Sequence, residues 1–166
     1  MVSEKAYSQW KTGPYSINFE TRNAGFKVEG IISGLNLEVS TPTASNPDFK
    51  LKGSVNVNSL STHNHARDHH LMQADYFDVA TYPKINLESV SIKKGAGNNY
   101  QGVFKLGIKD IIKTIQFPFQ YKEDIPNQKA HLSGDFKINR RDFHIGGSSF
   151  ILSDSIHIRI QINLVQ

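Results

Sequence analysis

The chain is expected to be all-β: an extended antiparallel β-barrel of about eight strands, with one short helix near residues 64–73 between its halves. Three features predict this. Apolar and polar residues alternate with a period of two through most of the 166 residues, the pattern of strands with one dry and one wet face. A single segment breaks that rhythm. No linker, low-complexity tract or internal repeat divides the chain, so residues 15–166 read as one barrel domain behind an N-terminal extension, 1–14, that is free to be flexible. Many strands with one apolar face must close on themselves or pack as a sandwich.

The elements follow in order. Tyr15, Ile17 and Phe19 oppose Ser16, Asn18 and Glu20. Phe26, Val28 and Ile32 share one phase and Leu35, Leu37 and Val39 the other, so a bulge is expected at Ser33-Gly34. Beyond a polar loop over residues 41–47 come Phe49, Leu51, Val55 and Val57. Residues 64–73 lack β-branched side chains, carry helix formers and follow Thr62 and Asn64, both suited to an N-cap. Ile85 and Leu87 then lead to Val90 and Ile92, with a second change of phase near Ser89. A Gly/Asn-rich turn over residues 94–99 precedes Phe104, Leu106 and Ile108. Ile115, Phe117, Phe119 and Tyr121 form the next row, and Leu132, Phe136 and Ile138 the one after. The clearest strand is the last, in which Ile156, Ile158, Ile160, Ile162 and Leu164 alternate with His157, Arg159, Gln161 and Asn163.

Gly30, Gly53, Gly102 and Gly134 all fall in the inward phase. Glycine there either removes side-chain volume to leave a cavity or lets the strands bend at barrel corners, and both readings stand. An eight-stranded barrel can be filled by its own side chains or can hold one small ligand. If it holds one, the inward row supplies the wall. The candidate ligand-binding residues are Phe19, Phe26, Val28, Ile32, Ile85, Leu87, Phe104, Leu106, Phe117, Phe119, Phe136, Ile138, Ile158 and Ile160. Each alone reads as core; together they are what an elongated apolar site requires.

Composition excludes more than it assigns. The net charge of +4, from 19 basic and 15 acidic residues, is scattered without a block or stripe, so no nucleic-acid partner is expected. There is no cysteine, which removes disulfides, thiolate catalysis and cysteine-ligated metals. No apolar run reaches the length of a membrane-spanning helix, and no membrane insertion is expected. His65 and His69 stand one helical turn apart, a spacing that can ligate a metal, but Asp68 and Asp75 complete no recognisable set. A solvated helix face explains these histidines equally well. No serine lies in a Gly-x-Ser-x-Gly elbow, and Glu123 and Asp124 sit beside a turn. The expectation is a protein that is not an enzyme and carries no cofactor or metal.

The helix region brings a resemblance. Leu60-Ser61-Thr62-His63-Asn64-His65-Ala66-Arg67-Asp68-His69-His70-Leu71, then Asp75-Tyr76-Phe77-Asp78-Val79-Ala80-Thr81-Tyr82-Pro83 and Ser89, is similar to the signature of the YceI-like family. A second block, Gly102 to Asp110 through Phe117-Pro118-Phe119, and a third, Ile138-Asn139-Arg140-Arg141-Asp142-Phe143-His144-Ile145-Gly146, resemble the same family. Two positions depart from it: Gly13-Pro14-Tyr15-Ser16 replaces an Asp…His-Ser pattern, and His144 stands where glycine is usual. The resemblance implies a lipocalin-like barrel holding an isoprenoid lipid, a polyisoprenoid chain or quinone-type molecule, in its interior. It implies export to the periplasm after signal removal, although Met1 to Tyr7 has no apolar signal region as written and a cytoplasmic location is the alternative. Such barrels can also pair as homodimers through exposed strands. Arg67, Asp68, Asn139, Arg140 and Asp142 are expected to be architectural, because charged groups beside an apolar barrel must be paired. The alternative is a solidly packed barrel that works through its surface as an interaction or stress-response partner.

Overall fold

Eight strands follow one another around a closed wall in chain order, each antiparallel to the next, with the eighth returning to the first. This is a computed structural model that describes residues 10–166 apart from 44 and 46. The strands are β1 (Lys11–Asn23), β2 (Phe26–Ser40), β3 (Lys50–Ser61), β4 (Lys84–Lys94), β5 (Asn99–Ile108), β6 (Ile111–Asp124), β7 (Lys129–Asn139) and β8 (Ser155–Val165). One helix, α1 (His65–Leu71), lies between β3 and β4, and a 3-10 turn, Arg140–Phe143, follows β7. The barrel starts earlier than the alternation suggested. Lys11 and Thr12 already pair with Val165 and Leu164, and the register slips between Thr12 and Tyr15, where Gly13-Pro14 interrupts the ladder. Residues 1–9 of the expected extension lie outside the described residues.

Both predicted changes of phase are register irregularities. The β2–β3 ladder slips on either side of Ser33, and Gly34 takes a left-handed φ of 72° with the Asn56 side chain against it. The Ser59 hydroxyl holds the bulge: it accepts from the Ser33 N–H at 2.8 Å and donates to the Asn56 carbonyl at 2.6 Å. The β4–β5 ladder slips between Ser89 and Ser91, and the Ser89 hydroxyl accepts from the Leu51 N–H at 3.0 Å. Between Ile31 and Ser33 the extra residues lie on β3 and between Ser33 and Asn36 on β2, whereas β4 takes up one extra residue between Ser89 and Ser91 and leaves Val90, expected in the inward row, 57% exposed.

The two ends of the barrel differ. At one, Phe49, Tyr100, Phe119 and Tyr121 pack with ring centroids 5.1–6.2 Å apart, and Val39 and Leu164 beside them are almost fully buried. This aromatic plug closes that end. The other end carries the β1–β2 turn, α1, the β5–β6 turn and the long connection before β8. The wall also has a weak seam. β6 and β7 pair only over residues 119–124 and 129–134, so 111–118 and 135–139 diverge toward the open end. There Phe117 and Phe136 stack at 4.2 Å in place of a ladder.

The inward glycines divide into two kinds. A Cβ on Gly30 would lie 2.1 Å from the Phe19 ring, and one on Gly102 would lie 2.2 Å from the Phe104 ring. These two are covered by aromatic rings laid flat across the strand. Gly53 and Gly134 face free interior instead.

Candidate functional site

Alternation puts one row of each strand inside, but the plug uses up only one end of that row. Between the plug and the loop end lies an apolar cavity of about 270 Å³. It follows β1 from Ile17 to Asn23 and β8 from Ile156 to Ile162, in each case roughly 20 Å of strand. The expected wall is largely present. Phe19, Val28, Ile32, Ile85, Leu87, Phe104, Leu106, Phe117, Phe119, Phe136, Ile138, Ile158 and Ile160 all line it, and Gly53 and Gly134 add width.

Phe26 does not. It shares the inward phase of β2 but is 76% exposed, because it is the first residue after the tight Ala24-Gly25 turn and projects past the rim. Phase gives the side of a strand and says nothing of where the opposite wall ends.

The loop end supplies the residues that periodicity missed. Thr62, Arg67, Leu71, Tyr76 and Phe77 reach the cavity from α1 and its flanks, and Arg140, Ile145 and Leu152 reach it from the connection before β8. None lies in a strand, so no alternation marks them. All but Leu152 fall in the first and third of the sequence blocks that carried the family resemblance.

Two arginines organise this end. Asn64 caps α1, its side-chain oxygen accepting from the Arg67 N–H at 3.0 Å. Asp68 on the first turn accepts from the Thr62 N–H at 2.9 Å and from the Thr62 hydroxyl at 2.5 Å, tying the helix to the end of β3. Arg67 also points at Thr62: Nε donates to its hydroxyl at 2.7 Å and Nη2 to its carbonyl at 2.9 Å. Both partners are neutral. Among the described residues Arg67 makes no direct salt bridge; the Thr62 hydroxyl that accepts from it donates in turn to the Asp68 carboxylate, so cation and anion share one hydroxyl at the edge of a mainly apolar cavity.

Arg140 is satisfied differently. Only 2% exposed, it donates to the carbonyls of Ser153, Ile145 and Gly147 at 2.8–3.0 Å and pairs with Asp154 at 2.9 Å. The loop is wound around this guanidinium, which confirms an architectural part for Arg140. Asn139 caps the 3-10 turn by accepting from the Arg141 N–H at 2.9 Å. His144 ends that turn with a φ of 54°, the left-handed region in which glycine carries no steric cost.

Among the described residues the polar side chains lining the cavity are Thr21, Asn23, Ser54, Thr62, Arg67, Tyr76, Ser133 and Arg140, with no histidine or carboxylate. The strongly perturbed group is Tyr121, in the plug, whose hydroxyl is held far above its ordinary range by burial and by its 2.7 Å hydrogen bond to Glu123. Among the described residues no three His, Asp or Glu side chains converge on a metal position. His69 and His70 are exposed, and His70 faces Asp75 at 3.8 Å and the edge of Tyr76. No helix among the described residues is long and apolar enough to cross a membrane.

Comparison with known proteins bears on the same segment. Residues 11–164 match the YceI-like domain. Protein YceI of Salmonella arizonae is 27% identical over 121 residues, 70% of this chain, and the chain spans about 63% of the length of the curated relatives it matches. Among solved structures, Burkholderia cenocepacia BcnA superposes with a TM-score of 0.81 at 19% identity, covering 90% of this chain and 95% of that one. A polyisoprenoid binding domain from Saccharophagus degradans, implicated in plant cell wall breakdown, gives 0.75 at 13% identity over 96% and 98% of the two chains. At these identities the structural likeness establishes the shared fold.

Proposed function

Because the chain belongs to the YceI-like family, we propose that it is a non-enzymatic binding protein for an isoprenoid lipid, a polyisoprenoid or quinone-type molecule, held inside the barrel. The observation that carries this reading is the cavity: an apolar channel closed at one end by aromatic rings and bordered at the other by Arg67. Burying a hydrocarbon chain along such a wall contributes roughly 0.8 kcal/mol per methylene, enough for tight binding without a catalytic polar set. A solidly packed barrel would lack that space. The tail would lie toward Phe119 and the polar head toward Arg67, whose guanidinium has hydrogen-bond donors in excess of its two neutral partners.

By the same reading the protein is exported, with the periplasm as the expected compartment, which cell fractionation tests. The primary experiment is native mass spectrometry of freshly purified protein, with organic extraction of what it holds, followed by uptake of added decaprenyl phosphate and ubiquinone. Gly134→Trp places an indole in the channel against Phe117. The expected result is stoichiometric uptake by the wild type and at least a tenfold loss in the folded variant. Full affinity in the variant would remove the lipid from the barrel interior. No uptake of either probe by the wild type would leave the surface-acting barrel as the better account.

A further inference from the structure

A lipid held inside a barrel must be collected from somewhere, and the loop end of this barrel is apolar on its outside as well. Phe150 is fully exposed, Phe26 is 76% exposed and Ile151 62%. Single exposed apolar residues are ordinary, but adjacent ones at a cavity mouth call for a partner. These come from two distant parts of the chain and are brought together by pairing: the Ala24 N–H donates to the Ile151 carbonyl at 2.8 Å, and Asn23 forms a bridge with Leu152. Asn23 and Leu152 both line the cavity, so the exposed side chains sit on its lip.

The segment that presents Phe150 and Ile151 is built to hold them out. Its base is fixed by Arg140, which binds the carbonyls of Ile145, Gly147 and Ser153. The Ser149 hydroxyl accepts from the N–H groups of Ile151 and Leu152 at 3.2 and 3.0 Å, closing a turn that sends Leu152 inward and leaves Phe150 and Ile151 outside. From Ile145 to Ser153 the chain carries no charged residue, and Asp154, which follows it, is paired with Arg140.

We infer that this lip is a membrane-docking surface: Phe150 and Ile151, with Phe26 beside them, enter the headgroup region of a phospholipid bilayer and set the open end of the barrel against it. The partner is a bilayer because the surface is continuous with the mouth of a lipid-shaped cavity, the 145–153 loop that presents it carries no charge, and the exposed Arg22 beside it, whose guanidinium donates to the Gly25 carbonyl, suits anionic lipid headgroups. An apolar, uncharged tip with a backbone already turned on itself inserts without burying an unpaired charge. The inference rests on the lipid-carrier reading for its purpose and is testable without it.

The Phe150→Trp variant is mixed with phosphatidylcholine–phosphatidylglycerol vesicles containing brominated phosphatidylcholine. Its emission should shift to the blue and be quenched, whereas the native Trp10, at the start of β1 and the plugged end, should be unaffected in the wild type. The double variant Phe150→Asp/Ile151→Asp should extract decaprenyl phosphate from vesicles roughly tenfold more slowly or worse. It should still take up the same lipid dispersed from ethanol at the wild-type level. An unquenched Phe150→Trp reporter overturns the docking inference whatever the cavity binds. So does a wild-type dimer that the double variant abolishes, which would assign the lip to a second copy of the chain. Quenching at Phe150→Trp with no uptake of dispersed lipid by any form would keep the docking surface and refute the carrier function.

Discussion

At the scale of single residues, polar side chains near the mouth do two different jobs from similar surroundings. Arg140 is buried with carbonyl acceptors and one carboxylate, so its charge is committed to the loop. Replacing it by Met leaves those carbonyls and Asp154 without their donor, and unfolding in denaturant should show a loss of about 3–5 kcal/mol. Lys in its place should not restore stability, because three donors on one nitrogen cannot span acceptors on opposite sides of the loop. Tyr121 gives a pH signature from the plug. Its folded pKa lies above the value near ~10 of the unfolded chain, so stability from this group is complete below that pH and declines as pH rises past it. Denaturant midpoints of the wild type should therefore fall between about pH 9 and 11 more steeply than those of Tyr121→Phe.

At the scale of elements, the strands are uneven partners. β7 and β8 pair along their whole length, residues 129–139 with 155–165, whereas β7 and β6 part after Gly134. Lys113 and Lys137 are exposed on the two separated segments, where charge opposes edge-to-edge association with another molecule. Without ladder partners, alternate amides of residues 111–118 that face β7 should exchange with solvent much faster than those of residues 129–132, as hydrogen-exchange mass spectrometry or NMR can measure. Uniform protection along β6 would mean that the seam is closed in solution. The short helix follows a related logic. Seven residues with no buried side chain cannot stabilise a helix alone, and α1 persists through the Asn64 cap and the Asp68–Thr62 bonds.

At the scale of the whole molecule, the cavity is a standing cost in stability, since its lining lacks contacts that a packed interior would have. A ligand that fills it stabilises the fold by mass action. At a hundredfold excess over Kd, a prenyl lipid should add about 2.7 kcal/mol and raise Tm by roughly 5–10 °C. Differential scanning fluorimetry against free lipid concentration checks this, and an unchanged Tm at saturating lipid would contradict interior binding.

Much of this was legible in the sequence, because strand alternation has a period of two and each element reports its dry face locally. The count of about eight strands, both bulges and most of the apolar row from Phe19 to Ile160 follow from that period, and the helix from the one segment that breaks it. Depth along the barrel does not. Phe26 has the right phase but stands beyond the rim, Gly30 and Gly102 lie under aromatic rings while Gly53 and Gly134 widen the channel, and Arg67 and Leu152 reach the cavity from the helix and from a loop, outside the strand alternation. Which end the rings of Phe49, Tyr100, Phe119 and Tyr121 close is settled by shear and closure of the sheet. Those bring together residues far apart in the chain, so tertiary structure alone decides where the cavity stops and where it opens.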